Sequence, residues 1–91
     1  MARLRPAASM VTAIALGALL SAATPEEEVY LRGMEAHNNQ QWSLATQEFE
    51  RILRGGYEAE LLYYNLGNAY YRAGDVAGAV WAYEKVLLLN P

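Results

Sequence analysis

The 91-residue chain contains no cysteine. Disulfides, thiolate metal sites and cysteine nucleophiles are thereby excluded together, and any folded domain must be held by packing alone. Histidine occurs once, as His37. No serine or carboxylate stands at a spacing that would activate it, and no second histidine clusters with it to hold a metal. Gly55 and Gly56 lack the Gly-Lys-Ser/Thr context of a phosphate-cradling loop. Enzymatic activity, a cofactor and a bound metal are therefore not expected. A basic stripe is missing too: seven Lys and Arg face ten Asp and Glu, for a net charge of −3. Nucleic acid is a poor partner for such a chain, because phosphate binding needs clustered cations.

Long apolar runs are also scarce. One opens the chain: Arg3 and Arg5, a mostly apolar stretch from Ala7 to Leu20, then the small residues Ser21, Ala22 and Ala23. That is the layout of a secretory signal peptide. Its length of 14 residues falls short of the roughly 20 that span a bilayer as a helix, which favours cleavage after Ala22 or Ala23 over anchoring. Leu4 separates the two arginines and no cysteine lies near the junction, so neither a paired-arginine signal nor a lipid anchor is expected. Cleavage after Ala23 removes Arg3 and Arg5 and leaves five basic residues against ten acidic ones. The expectation is an exported protein, periplasmic or in the cell envelope, that meets the membrane only in transit.

Four helices are predicted beyond that segment. Thr24, Pro25 and Glu26 to Glu28 form a helix start: a capping hydroxyl, proline at the first helical position, and acidic residues facing the positive end of the macrodipole. The first helix is expected from about Pro25 to Asn38, with Val29, Gly33 and Ala36 inward and His37 at the negative end of its dipole. Asn38 to Gln41 make a polar break. A second helix over Ser43 to Arg54 buries Leu44, Ala45, Phe49, Ile52 and Leu53 at helical spacing, and Gly55-Gly56 end it. The third runs from about Glu58 to Ala73 and the fourth from Val76 to Leu89, with Gly74 stopping one and Asp75 capping the next. Gly67 and Ala79 are the expected close contact between these last two, since only minimal side chains allow such an approach.

The pattern repeats. Gly33, Ala45 and Phe49 each precede Gly67, Ala79 and Tyr83 by 34 residues. Tyr63, Leu66, Gly67, Tyr70, Ala79, Tyr83 and Pro91 stand where a tetratricopeptide repeat has its signature residues, with Val86 in place of the usual alanine. The chain thus resembles the tetratricopeptide family: residues 24–57 as a degenerate first repeat, residues 58–91 as a strong second one, after a signal segment at residues 1–23. The first copy has Val29 for Tyr63, Arg32 for Leu66, Ala36 for Tyr70 and Gln40 for Gly74. The resemblance implies an all-α fold of two tandem helical hairpins. More narrowly, the chain is similar to exported bacterial members encoded in Bat aerotolerance operons.

In this family the first helix of each repeat lines a concave groove, which implies a protein-interaction scaffold that binds a peptide or protein there. By register the groove residues are Tyr30, Met34, His37 and Asn38, then Leu61, Tyr64, Asn68, Tyr71 and Arg72. Rings and amides suit peptide capture. The carboxylate clamp known in some members is not expected, since Tyr30 and Met34 occupy the places of its lysine and asparagine. The chain ends at Pro91, where a third repeat is expected to begin, and Leu62, Tyr63, Val80, Leu87 and Leu88 include residues that would face it. A longer protein is the favoured explanation; completion by a second copy or a marginal fold are the others. A self-assembling module and an accessory domain of an envelope enzyme stay open as functions.

Overall fold

A computed structural model describes residues 23–91. The export signal expected over residues 1–23 lies outside them except for Ala23. The described chain is all helix and turn: α1 (Pro25–Asn38), α2 (Trp42–Arg54), α3 (Glu60–Arg72) and α4 (Val76–Leu89). Short connections fold α1 back on α2 and α3 back on α4, and α2 packs against α3 to join the two hairpins. None of these helices is long and apolar enough to cross a membrane.

The helix ends follow the local chemistry. Thr24 Oγ1 accepts from the Glu27 amide at 3.1 Å, and Pro25 occupies the first turn. Asp75 accepts from the Gly78 amide at 2.9 Å. The two hairpin turns are the same structure displaced by one period. Gln41 N donates to Ala36 O at 2.8 Å, and Asp75 N to Tyr70 O at 2.9 Å. Each needs a left-handed residue just before it: Gly74 at φ 87°, and in the first repeat Gln40 at φ 60°. Gln40 adopts there a conformation that costs a residue with a Cβ about 1–2 kcal/mol.

Within each hairpin a glycine meets an aromatic ring. A Cβ on Gly33 would lie 2.5 Å from Phe49 Cε1, and one on Gly67 would lie 2.6 Å from Tyr83 Cε1. Beside the expected approach to Ala79, which is buried, Gly67 therefore makes room for the Tyr83 ring. Ala36, Ala45, Phe49, Ile52, Leu62, Leu66, Ala69 and Ala82 make one continuous core across both repeats. Fully burying a side chain such as Phe49 or Leu66 contributes roughly 1.5–3 kcal/mol.

The degenerate first repeat is explained by a paired exchange. Leu66 and Ala82, both fully buried, are replaced one period earlier by Arg32 and Glu48, which form an ion pair at 3.3 Å. The inner α3 face is apolar, whereas the outer α1 face turns toward solvent and carries charge.

Four expectations need correction. Leu44 is not in the buried stripe but 42% exposed, because it lies one residue, about 100° of helix, outside the line through Ala45, Phe49 and Ile52. Leu62 and Tyr63 do not face an absent neighbour: both are buried, Leu62 in the core and Tyr63 edge-on to Trp81 with ring centroids 5.7 Å apart. α3 starts at Glu60, since Ala59 is extended at φ −157°, ψ 144°, and Glu58 is engaged by the Tyr63 hydroxyl at 2.7 Å. It ends at Arg72, with Ala73 as the cap. α2 begins one residue early, at Trp42.

Candidate functional site

α1 and α3 share one face of the molecule, and the sequence-predicted binding residues divide along it by what they touch. Tyr30 and Met34 are half-buried against the core. The Tyr30 ring tilts on Phe49 at 5.7 Å, and its hydroxyl accepts a hydrogen bond from Asn65 Nδ2 at 2.6 Å. This bond ties α1 to α3 directly and fixes the floor of the shared face.

Leu61, Tyr64 and Tyr71 are exposed, at 59%, 51% and 63%. Helical period places Leu61, Tyr64, Asn68 and Tyr71 in one row along α3. Asn68 Oδ1 accepts from the Tyr83 hydroxyl in a short bond, and the Tyr64 ring tilts on Tyr83 at 6.3 Å. Burial first, then the neighbouring phenols of Tyr64 and Tyr71, push the Tyr83 hydroxyl above its ordinary pKa, so it stays a neutral donor. The row is therefore supported from beneath by the ring that Gly67 admits.

Two hollows open on this face. At the start of the helices, Glu26, Glu27, Tyr30, Ile52, Tyr57, Glu58, Ala59, Leu61 and Leu62 enclose about 320 Å³. Its apolar floor carries glutamates at the margin. Toward the other end, His37, Trp42, Asn68, Tyr71 and Arg72 enclose about 400 Å³. There the Arg72 guanidinium lies over the Trp42 ring, 4.8 Å from its centroid, and His37 meets the same ring edge-on at 4.9 Å. His37 Nε2 is buried without a hydrogen-bond partner. Asn38 is exposed and lines neither hollow. Among the described residues, no three His, Asp or Glu side chains gather as a metal site.

Trp42 is the participant that sequence reading missed. Its ring bridges His37 of α1 and Arg72 of α3. Trp42 stands 34 residues before Val76, which is 61% exposed in the second repeat, so the equivalent ring projects onto the open face, a placement that the sequence alone does not show.

These features define an all-α helical-repeat protein: two hairpins of one design, stacked through α2 and α3, with an open face of rings and polar side chains. Residues 60–91 match the family model of the tetratricopeptide repeat. The match spans α3 and α4, and the 34-residue register carries the same turn and the same glycine–ring contact into α1 and α2. Repeats of this family are typically non-catalytic and mediate protein–protein interaction. No curated protein and no solved structure matches the chain.

Proposed function

We propose that the chain is a protein-interaction scaffold that captures an extended peptide segment on the shared face of α1 and α3. The observation that carries this reading is the exposed row of Leu61, Tyr64 and Tyr71 on helices whose core is already filled by other residues. Tyrosine rings offer contact area at low entropic cost, and Asn68 and Arg72 add polar anchors beside them. Tyr30 and Met34 form the floor. The signal-like residues 1–23 support a setting in the bacterial cell envelope, where the partner would be an exported or membrane protein. Similarity to the exported members of Bat aerotolerance operons belongs to the same reading.

The test is a displayed peptide library panned against the 91-residue chain, with Tyr64→Ala/Tyr71→Ala as the counter-screen. Peptides retained by the wild type and lost by the double variant, whose circular dichroism melt is unchanged, support the proposal. A library that yields no such peptides refutes it.

A second reading has one observation behind it. Val80, Leu87 and Leu88 on α4 are 50%, 66% and 73% exposed, an apolar face that a second copy could cover. Head-to-tail stacking on α1 is disfavoured, because α1 presents Glu28, Arg32 and Glu35 where α3 presents Leu62, Leu66 and Ala69. Self-association would then join α4 to α4. Sedimentation that stays monomeric up to high concentration eliminates it.

A further inference from the structure

The two hollows on the shared face differ in charge, and the difference names a ligand. The hollow at the start of α1 and α3 is lined by Tyr30, Tyr57, Leu61 and Leu62 with Glu26, Glu27 and Glu58 around it, and no cation enters its lining. Arg72 marks the opposite end. Its guanidinium carbon lies 4.8 Å from the Trp42 ring centroid, and it makes no ion pair among the described residues, unlike Arg32, Arg51 and Arg54. The hollows on either side of it, one with His37, Asn68 and Tyr71 and the other with Gln40, Gln41 and Ser43, contain no carboxylate. A guanidinium carries five N–H donors in a planar fork, and with no ion-pair partner among the described residues those of Arg72 can meet an incoming carboxylate with two parallel hydrogen bonds while the indole attracts the cation.

We propose that the segment bound here is dipolar: an apolar side chain beside a lysine or arginine fills the glutamate-rimmed hollow, and a carboxylate sits on the Arg72–Trp42 shelf. This rests on the peptide-capture reading and adds the ligand's composition and spacing. Leu61 and Arg72 are 11 residues apart on α3, about 16 Å at the helical rise. An extended chain covers that distance in about five residues. Electrostatic complementarity at the two ends fixes one register and rejects segments with the charges exchanged.

The probes are synthetic fluorescent peptides with Lys-Leu at one end and Glu at the other, joined by a neutral spacer that separates Leu from Glu by five residues. Both sequence orders are made. Controls shorten the spacer by two residues, or replace Glu with Lys. Fluorescence anisotropy with the 91-residue chain is expected to show binding for one order, weakened about tenfold or more by the short spacer and by the Glu-to-Lys exchange. Arg72→Glu should weaken the parent peptide by about tenfold or more and restore binding of the exchanged peptide. The preference should shrink at 0.5 M salt, as screening shortens the reach of the charges. Equal binding of parent, exchanged and short-spacer peptides overturns the dipolar assignment while leaving peptide capture standing. Library peptides retained without any charge rule do the same. Failure of every probe and every library peptide removes both.

Discussion

Gly67→Ala isolates the contact on which the second hairpin and its binding row depend. The added methyl carbon would sit 2.6, 2.8 and 3.1 Å from Cε1, Cδ1 and Cζ of Tyr83, where ordinary contact needs about 3.5–4.0 Å. The ring must therefore retreat by about 1 Å, and it is not free to do so, because its hydroxyl is held by Asn68 Oδ1. Alanine favours the helix over glycine by about 1 kcal/mol. Overpacking a core costs about 1–3 kcal/mol, and a strained or lost hydrogen bond adds about 0.5–1.5 kcal/mol. The net expectation is a loss of about 1–3 kcal/mol, read as a lower urea midpoint by circular dichroism at 222 nm. In a Tyr83→Leu background the clash disappears and the same substitution should become neutral or stabilising by up to about 1 kcal/mol. A wild-type background in which Gly67→Ala is neutral, or a double-mutant cycle without this change of sign, refutes the packing argument. Since Tyr83 also supports Asn68 and Tyr64, Gly67→Ala should lower peptide affinity as well. Gly67→Leu, with a larger wedge, should unfold the second repeat.

Three further outcomes are expected. Gln40→Gly should raise the melting temperature, by a few degrees for about 0.5–1 kcal/mol, because glycine takes φ 60° without strain; an unchanged or lower melting temperature counts against the turn assignment. Arg32→Ala should cost about 1 kcal/mol by leaving the buried Glu48 with only Arg51, 3.9 Å away, whereas Arg32→Leu/Glu48→Ala, which installs the second repeat's pair, should cost less than that single change; urea melts of the set decide it. Alkaline pH should destabilise the fold. Burial first, then the Glu58 carboxylate, raises the Tyr63 phenol to about 12, and Tyr70 is pushed up by burial and by Glu50. An unfolded tyrosine ionises near pH 10, so the neutral phenols stabilise the fold fully below about pH 10, and that contribution is lost as pH rises through about 12. Urea midpoints at pH 9 and pH 11 that coincide would contradict this, as would ultraviolet titration showing every tyrosine ionising together near pH 10.

The sequence by itself determined the four helices, their turns and the period. Those features rest on local chemistry: Thr24 and Asp75 as caps, Gly74 in a left-handed turn, and a 34-residue offset visible without coordinates. It also grouped Leu61, Tyr64 and Tyr71 on one side of α3 by helical register, while the resemblance to the repeat family, not the register, named that side as the open one. What only the tertiary structure decided depends on pairs from different helices. Gly67 makes room for the Tyr83 ring, Arg32 and Glu48 replace Leu66 and Ala82 as a matched pair, and Leu62 and Tyr63 are already covered. The Arg72–Trp42 shelf belongs to the same group. Its two residues lie 30 positions apart in the chain, and nothing in the periodicity of either helix requires their side chains to meet; the packing of α2 against α3 brings them within 4.8 Å.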